Sequence, residues 1–432
     1  MNCLDNIEKK IKNLLKTISE NGGCLYLVGG AVRDIIMFDL GVIEKRPQSK
    51  DFDFCITGLS QSEFEKIFSN AIIQGKDFPV YIFKNFPGYE FSLARKERKV
   101  GIGYRGFEIL TSSDVTIEDD LIRRDLTINS IAYDFCAKGI VDPFGGTEDI
   151  RNKTLRAVSP AFGEDPLRVY RVAQFASRFS FDVEFNTIQM MKSLKGELDV
   201  ISPERVFVEV RKAINSKEPS RFFKILNQAK VLEIHFPEMA KLAGQPLFEH
   251  SHFAGDAFYH TMNVLDKVSD KTDKEEIRFA ALVHDIGKGE TDLSLWPKHI
   301  GHDRIGAYLV GEMAKKLTYP KTWISAGKLA SDEHIHAGRF NEMGPAKKVE
   351  FIEKVAGSGL GLRGLEFIVN ADGANVEFAD LGEKMIKEVN GKSLGVEEGL
   401  EAREIIHRAR IEWLKNQKAG KEINIEINLN RN

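Results

Sequence analysis

Two aspartates one residue apart, Asp51 and Asp53, lie at the start of the apolar segment KDFDFCI. In a β-strand they would point to the same face, with their Cα atoms roughly 7 Å apart, while Phe52 and Phe54 would point to the other face. Two such carboxylates repel each other unless a cation or a proton lies between them. The pair is therefore a candidate site for a divalent metal, and a surface strand with a polar edge is the alternative.

A glycine turn precedes these aspartates. The segment CLYLVGGAVRDIIMF contains a predicted strand, the turn Gly29-Gly30 and a helical pattern that begins near Ala31. Backbone N–H groups at a helix N-terminus bind phosphate, and Arg33, one turn into the helix, supplies a charge-assisted contact. The turn and the aspartates together provide what nucleotidyl transfer needs: a triphosphate cradle and a two-carboxylate magnesium site that stabilises the attacking and leaving oxygens.

Asp165 and Arg168 lie three residues apart in the segment EDPLRVYR, which has the acidic residues and the proline of a helix start. Residues at this spacing share one helix face. Cytosine and adenine both present an amino donor beside a ring-nitrogen acceptor, so an aspartate and an arginine can bind either base, whereas uracil and guanine present the inverse pattern. The pair therefore predicts selection of CTP and ATP without a template, with an ordinary i,i+3 ion pair as the alternative.

His284 and Asp285 interrupt the apolar segment RFAALVHDIGKGET. Burying such polar groups is costly unless something compensates them, and a metal ion would do so. A bound metal activates water to attack phosphorus, which predicts phosphodiesterase or phosphatase chemistry. Three further histidines are candidates for binding phosphate or transferring protons, with ordinary surface histidines as the alternative: His299, His302 and His334.

The elements that would position these residues differ along the chain. The first third contains short apolar segments separated by turns, which predict a small sheet with helices. These segments are CLYLV (24–28), FDFCI (52–56), VYIF (80–83), FEIL (107–110) and SIAYDF (130–135). After about residue 160, helical periodicity takes over and predicts an almost entirely helical remainder. We therefore predict an α+β fold with several domains, since 432 residues exceed one ordinary core.

The composition argues against several classes of protein. A net charge of −3 gives no general attraction to nucleic acid, so RNA contacts would come from basic segments such as ARKERK (94–99) and RNKTLR (151–156). The four cysteines form no CxxC pair, which argues against a disulfide framework or a thiolate zinc site. The chain has no apolar run of about 18 residues, and its start lacks the apolar segment of a secretory signal. We expect a cytoplasmic protein without membrane contact.

Several motifs occur together in one order: LVGGAVRD, KDFDF, RRDLTINSIAYD, VDPFGG and SPAFGEDPLRVYRVAQFASRF. In this combination the chain resembles the bacterial class II tRNA nucleotidyltransferases, the CCA-adding enzymes, from about Leu25 to beyond Asp372. The resemblance implies a polymerase-β-like nucleotidyltransferase head at 22–150, an all-helical neck and body at 151–245, and a helical HD phosphohydrolase domain with a C-terminal tail at 246–432. We expect a monomer or a homodimer.

The same resemblance implies roles for residues in the head. Asp51 and Asp53 would hold Mg²⁺ and catalyse attack of the tRNA 3′ hydroxyl on the α-phosphate of CTP or ATP. Six residues would contact the nucleotide: Gly30, Arg33, Arg124, Asp165, Arg168 and Arg171.

Three features near these residues qualify the resemblance. The segment EFSLARKERKVGIGYRGFEILTSSDVTIEDDL (90–121), in which Gly101-Ile102-Gly103 favours mobility, matches a flexible loop that the family needs for the final adenosine, which favours addition of complete CCA; a disordered surface loop is the alternative. Gln174 stands where relatives often have arginine, and we do not predict that it binds triphosphate. Asp125 and Asn129 are spaced so that they either tie a helix start to the sheet or take part in catalysis.

In the second half of the chain, the order His260, His284-Asp285 and Asp372, with GKG after the HD pair, resembles the HD phosphohydrolase superfamily. The resemblance implies that these four residues bind a divalent transition metal. Their ligand types suit nickel, manganese, iron or zinc, and nickel is often implied for this subgroup. The implied substrates are 2′,3′-cyclic phosphates, 2′-nucleotides and terminal phosphates. Hydrolysis would expose the 3′ hydroxyl that CCA repair requires.

Two other functions compete with this interpretation. A bacterial poly(A) polymerase shares the head, and use of CTP distinguishes the two activities. A non-catalytic RNA-binding protein is the second alternative, which the intact DxD, EDxxR and HD motifs disfavour.

Overall fold

The computed structural model describes residues 2–47, 51–75, 79–99, 107–110, 112–246, 256–396 and 399–419. The predicted flexible loop at Gly101–Gly103 and the polar tail beyond residue 419 lie outside these ranges. The chain forms two compact units, Met1–Ile201 with Gln228–Val231, and Ser202–Asn227 with Leu232–Asn432. The predicted division into three domains stays a prediction. No helix among the described residues has the length and apolar character needed to cross a membrane.

The strands of the described residues all lie in the first unit. They are β1 Cys24–Val28, β2 Phe52–Thr57, β3 Ile72–Gln74, β4 Val80–Ile82, β5 Tyr89–Leu93, β6 Lys96–Lys99, β7 Phe107–Leu110, β8 Ala132–Asp134, β9 Gly139–Val141, β10 Thr154–Leu155 and β11 Asp182–Val183. Within the described residues, seven of them form one mixed sheet in the order β3-β4-β5-β2-β1-β8-β9. The pair β2–β5 is parallel, whereas β1 is antiparallel to both β2 and β8.

The helices of the first unit are α1 Asn2–Glu20, α2 Gly30–Asp39, α3 Gln61–Ile67, α4 Ile117–Leu121, α5 Gly146–Arg151, α6 Arg168–Phe179 and α7 Phe185–Ser193. Helices α1 and α2 both contact β1. Because β1 is buried along Leu25 to Val28, the sheet provides the core against which these helices pack. Phe54 and Phe91 stack across β2 and β5 with their ring centroids 4.7 Å apart, which fixes the register beside the aspartates.

The remainder of the chain is helical. Its helices are α8 Pro203–Ile214, α9 Ser220–Gln228, α10 Leu232–His235, α11 Pro237–Ala240, α12 Ala257–Ser269, α13 Glu275–Val283, α14 His302–Lys316, α15 Lys321–Gly338, α16 Pro345–Ala356, α17 Gly361–Asp372, α18 Ala379–Glu388, α19 Gly391–Leu394 and α20 Leu400–Ala419. Short 3₁₀ segments lie between some elements: Pro160–Glu164 precedes α6, and Ile286–Glu290 follows α13. In the second unit, buried residues such as Val264, Ile277 and Leu365 join α12, α13 and α17 in one core. The predicted α+β fold, with a sheet-containing head followed by helices, is confirmed.

Candidate active sites

The first site lies where β1 ends beside β2. Val28 is the register partner of Asp53, so the glycine turn follows directly beside this carboxylate. Gly29 has φ +72°, and a Cβ atom there would lie 3.4 Å from both Asp53 Oδ2 and Arg124 Nη1. Glycine is favoured at positive φ, and here it also leaves room for a carboxylate and a guanidinium on one side of the turn. Helix α2 begins at the next residue, Gly30, as the sequence predicted to within one position.

Asp51 and Asp53 are both exposed, and β2 begins between them at Phe52. Desolvation by the surrounding protein raises the pKa of Asp53, the charge of Asp51 adds to this rise, and Arg124 opposes it. A divalent cation would offset the repulsion that the two carboxylates share. The residue types and their exposure therefore fit a hard cation with oxygen ligands.

A third carboxylate lies beside this pair. Glu90 on β5 is the register partner of Asp53, and paired residues of neighbouring parallel strands point to the same face of the sheet. Glu90 was not predicted as a site residue from the sequence. The available signal in the sequence was an acidic residue between the aromatic residues Tyr89 and Phe91.

Arg124 is held by a buried acid that the sequence analysis also missed. Asp120, 1% exposed, accepts hydrogen bonds from Arg124 Nη2 at 2.9 Å and from Arg123 Nη2 at 2.6 Å. Burial alone would raise the pKa of Asp120, but the two guanidinium groups outweigh it and lower the pKa to about 2. The acid therefore stays ionised and fixes both arginines at the edge of the site. The signal in the sequence was the segment EDDLIRR, in which the two arginines follow Asp120 by three and four residues, the spacing of ion pairs on one helix face.

A second buried acid connects the 3₁₀ turn Thr127–Asn129 to α6. Asp125 Oδ1 accepts from Asn129 Nδ2 at 2.9 Å, and Asp125 Oδ2 accepts from Arg171 Nε at 2.7 Å. Burial would raise the pKa of Asp125, but Arg171 and the hydrogen bond from Asn129 lower it to about 2. These contacts give Asp125 and Asn129 the structural role that the sequence left open. Arg171 thereby lies against the head, as a nucleotide contact would require.

Arg33 is more enclosed than the sequence suggested. Its side chain is 4% exposed, donates to Asn129 Oδ1 at 2.6 Å and to Asp34 Oδ1 at 2.8 Å, and stacks on Phe179 with its Cζ atom 4.9 Å from the ring centroid. Burial lowers the pKa of this guanidinium, although Asp34 opposes the shift. The arginine thus holds α2 to the Asn129 segment, and its predicted contact with nucleotide remains a proposal.

The predicted base-choosing residues lie at the start of α6. Arg168 Nη1 donates to the carbonyl oxygen of Ala161 at 2.5 Å, and Nη2 donates to that of Arg123 at 2.6 Å. Asp165 Oδ1 accepts from the backbone N–H of Leu167, the residue directly before α6, at 3.1 Å. The contact with Arg123 attaches this region to the loop that carries Arg124. The structure therefore attaches the predicted selection motif to the residue before Arg124, whose guanidinium lies beside the Gly29 turn with Asp53.

The second site is built by helix ends and interiors in the second unit. His260 lies inside α12, His284 and Asp285 directly follow α13, and Asp372 is the last residue of α17. His260 Nε2 lies 2.6 Å from Asp372 Oδ1 and 3.7 Å from Asp285 Oδ2, and His284 Nε2 lies 3.4 Å from Asp285 Oδ2. One ligand atom from each of the four residues falls within a 4.8 Å cluster. The packing thus joins side chains that are up to 112 positions apart.

The chemistry of this cluster fits a transition-metal cation. His284 Nδ1 lies 2.8 Å from the carbonyl oxygen of Ala281 and must donate to it, so Nε2 of the neutral ring carries a lone pair directed at the carboxylates. This Nε2 atom is buried, with no hydrogen-bond partner among the described residues. Burial would lower the pKa of His284, but Asp285 and Asp372 outweigh it and raise the pKa to about 10. A cation bound here would meet the same demand for positive charge as that proton.

The three additional histidines are buried, so the surface alternative is wrong. Their exposures are 0% for His299, 7% for His302 and 5% for His334. His299 has both ring nitrogens engaged, with Thr291 Oγ1 at 2.7 Å and the carbonyl oxygen of Pro246 at 2.9 Å. His302 and His334 instead form a second cluster with Asp285.

Comparisons with protein families match successive segments of the chain, and the first and last of these segments contain residues of the first and second site. Three family profiles match: the poly A polymerase head domain at residues 25–156, a probable RNA and SrmB-binding site of polymerase A at 180–242, and the HD domain at 257–350. A multifunctional CCA protein from Shewanella frigidimarina is 41% identical over 335 residues, which cover 76% of this chain and 78% of that protein.

Solved structures with a similar fold span nearly the whole chain. A Thermotoga maritima CCA-adding enzyme complexed with tRNA has a TM-score of 0.63 at 18% identity and covers 97% of this chain and 93% of its own. A CCA-adding enzyme in complex with CTP has a TM-score of 0.61 at 19% identity, with coverages of 98% and 93%. At 18% and 19% identity, these similarities show that the chain shares the fold of these enzymes.

Proposed function

The chain belongs to the family of multifunctional CCA proteins, and from this membership we propose that it adds CCA to the 3′ end of tRNA with CTP and ATP. The proposal includes Mg²⁺ in the first site and a cytoplasmic location. Relatives solved in complexes with tRNA, CTP and ATP support the choice of substrates. The observation that carries the proposal is the hydrogen bond from Arg168 to the Arg123 carbonyl, because it joins the selection motif to the carboxylate site.

In this proposal Asp51 and Asp53 hold Mg²⁺, with Glu90 as a further carboxylate on the same face. Bound magnesium would neutralise charge on the triphosphate and orient its α-phosphorus. Arg124, fixed by Asp120, contributes positive charge beside the Gly29 turn, where the backbone lies close to the phosphates. The chain's own contribution to catalysis is therefore positioning and charge neutralisation for attack by the tRNA 3′ hydroxyl.

Base choice is assigned to Asp165 and Arg168. The aspartate would accept from the amino group of cytosine or adenine, and the arginine would donate to the ring nitrogen. Both residues are anchored through backbone contacts, which would hold the pair at one separation for the two permitted bases. Replacing Asp165 by asparagine should weaken the preference for CTP and ATP without admitting UTP, because the amide can donate to the uracil carbonyl whereas Arg168, which only donates, still faces the uracil N3–H.

For the second site we propose hydrolysis of 2′,3′-cyclic, 2′- and terminal phosphates, with a divalent transition metal such as Ni²⁺. His260, His284, Asp285 and Asp372 would hold the metal, which supplies activated water when bound. Lys288, whose Nζ lies 2.5 Å from Asp285 Oδ2, is a nearby cation able to pair with a phosphate ester. Removal of a blocking phosphate would yield the free hydroxyl that the first site extends.

One experiment tests the first activity against its closest rival. The purified protein is incubated with Mg²⁺, all four nucleoside triphosphates and tRNA transcripts ending at the discriminator base, and the 3′ ends are sequenced. We expect CCA ends. Long A tails would establish poly(A) polymerase activity, CC ends would limit the enzyme to C addition, and unextended ends would contradict nucleotidyl transfer altogether.

A further inference from the structure

Two cysteines that are distant in sequence meet at one end of the sheet in the first unit. Cys24 is the first residue of β1, and Cys136 lies in the loop 135–138 between β8 and β9. Strands β1 and β8 pair antiparallel, and a hydrogen bond from the N–H of Phe135 to the carbonyl oxygen of Leu25, at 3.2 Å, continues this pairing by one residue. The next step along both segments places Cys24 opposite Cys136.

The backbone geometry at this position suits a disulfide bond. Hydrogen-bonded and non-hydrogen-bonded pairs alternate along an antiparallel ladder, so the pair beyond Leu25 and Phe135 is a non-hydrogen-bonded one. The Cα atoms of such a pair are about 4.5 Å apart, within the range of about 4.4–6.8 Å that disulfides span. Asp134 holds the loop in place, because its Oδ1 atom accepts from the backbone N–H groups of Cys136 at 2.6 Å and Ala137 at 2.9 Å.

The two thiols lie beside each other but differ in their access to solvent. Cys136 is exposed, whereas Cys24 is partly buried. Burial, together with the neighbouring thiol of Cys136 and the charge of Asp134, raises the pKa of Cys24 to about 11. Cys24 therefore stays protonated at neutral pH. Because the thiolate is the nucleophile of cysteine chemistry, an oxidant in solution would react first with the exposed Cys136.

We propose that Cys24 and Cys136 form a reversible disulfide bond when the protein meets a hydroperoxide. The Cys136 thiolate attacks the O–O bond, which leaves a sulfenic acid on Cys136 and releases an alcohol, or water where the oxidant is hydrogen peroxide. The Sγ atom of Cys24 then attacks the sulfenic sulfur, and its proton leaves with the hydroxide as water. The two thiols together lose two electrons, which reduce the peroxide. A dithiol reverses the bond by exchange.

Cys55 is the alternative partner in the same sheet, because it lies on β2, the other neighbour of β1. Its side chain is fully buried, and burial raises the pKa of its thiol. A peroxide in solution therefore does not reach this thiol, which also stays protonated. Exposure thus favours Cys136 over Cys55 as the partner of Cys24.

The proposed bond would join β1 to the β8–β9 loop at the end of β1 that lies away from the Gly29 turn. The first site should therefore keep its geometry, and the proposal does not depend on either proposed activity. Disulfides in reducing compartments are usually transient and redox-sensing. We therefore expect this bond to form during oxidation and to be removed when reducing conditions return.

Peptide mapping tests the proposal on the full chain. The protein is reduced, desalted, treated with a small molar excess of hydrogen peroxide, and alkylated in denaturant before mass spectrometry. We expect the loss of two of the four thiols and a bond between the tryptic peptides 17–33 and 125–138, both reversed by dithiothreitol. In Cys24→Ser, Cys136 should stop at the sulfenic acid, which dimedone traps, whereas Cys136→Ser should keep its remaining thiols. Cys3→Ser is the matched control and should form the same bond as the wild type.

Other products in the wild type would overturn the proposal. These are a bond from Cys24 to Cys55, a bond between two chains on a non-reducing gel, and Cys136 oxidised to sulfinic acid without a bond. Unchanged thiols after peroxide treatment would also overturn it. The peptide map of the wild type alone decides the matter if a variant does not fold.

Discussion

Both sites contain clustered carboxylates, but the two sites differ in how this negative charge is compensated. In the first unit Asp51 and Asp53 are exposed, and the neighbouring buried acids Asp120 and Asp125 are already paired with arginines. In the second unit Asp285 is 1% exposed and one of its oxygens has no hydrogen bond from the described residues. The first site is therefore stable without its ion, whereas the second has an unmet demand for positive charge.

If the proposed ions are bound, this difference predicts different metals with different residence times. Exposed carboxylates bind a hard, hydrated ion such as magnesium weakly, so that it can arrive and leave with each nucleotide. Buried imidazoles and carboxylates hold a softer ion as part of the folded unit, because removing it leaves uncompensated polar groups. Four predictions test this contrast, in order of decreasing expected effect.

The first prediction separates the two activities at their carboxylates. Asp53→Ala should lower the rate of CTP incorporation by on the order of 10³-fold or more, since a metal contributes several kcal/mol to the transition state. Cyclic-phosphate hydrolysis by the same protein should not change. Incorporation is measured with radiolabelled CTP on tRNA lacking CCA, and Asp39→Ala, an exposed acid at the end of α2, is the control. An active Asp53→Ala enzyme would remove the first site from the proposal.

The second prediction is the reciprocal change. Asp285→Asn should lower hydrolysis of a 2′,3′-cyclic nucleotide by on the order of 10²-fold, because the site loses the carboxylate that faces both histidine sets. Addition of CCA should continue at the wild-type rate. Hydrolysis is followed by chromatography of the products, with tRNA extension as the internal control. Full hydrolysis by this variant would refute the HD assignment.

The third prediction concerns the acid that holds the arginines of the first site. Asp120→Ala should lower the free energy of unfolding of the first unit by about 3 kcal/mol, because it leaves Arg123 and Arg124 without their buried partner. Urea unfolding followed by a signal from this unit measures the change. Glu118→Ala, at an exposed position of the same helix, should stay within about 0.5 kcal/mol of the wild type. Equal stability of the two variants would mean that Asp120 is not the anchor described here.

The fourth prediction is a pH dependence. The pKa of Asp125 is lowered to about 2 in the folded state, so its contribution to stability is present above its ordinary pKa and is lost as the pH falls through about 2. The free energy of unfolding of Asp125→Asn should therefore be about 2 kcal/mol lower than that of the wild type at pH 6, and this difference should narrow toward pH 3. Urea midpoints at several pH values measure the gap, and Asp39→Asn is the control. A gap that widened on acidification would contradict the assigned direction.

Much of this organisation could be predicted from sequence. The strand CLYLV was predicted with the bounds of β1, and FDFCI differs from β2 by one residue, because alternation and β-branched residues determine strands locally. The helical remainder was predicted from helical periodicity, which is also a local pattern. The four HD residues were assigned by resemblance, and the structure brings them together.

Other features followed only from packing. Arg33 was predicted from its place one turn into a helix, but its burial against Asn129 and Phe179 depends on segments 96 and more positions away. Glu90 joins the aspartates through a parallel pairing that no local pattern specifies. For His302 and His334 the sequence left a surface position and a role in a site equally open. The residue type alone does not indicate which helix will pack against a histidine.

The sequence by itself determined the side-chain types behind the proposed chemistry: carboxylates that suit a hard ion, imidazoles that suit a softer one, and an aspartate with an arginine proposed for base choice. These properties follow from side-chain types and short spacings along the sequence, which do not depend on how the chain folds. The tertiary structure decided which charges are satisfied and which remain in need of a cation. Burial and partner geometry set that balance, and both arise only when distant elements pack together.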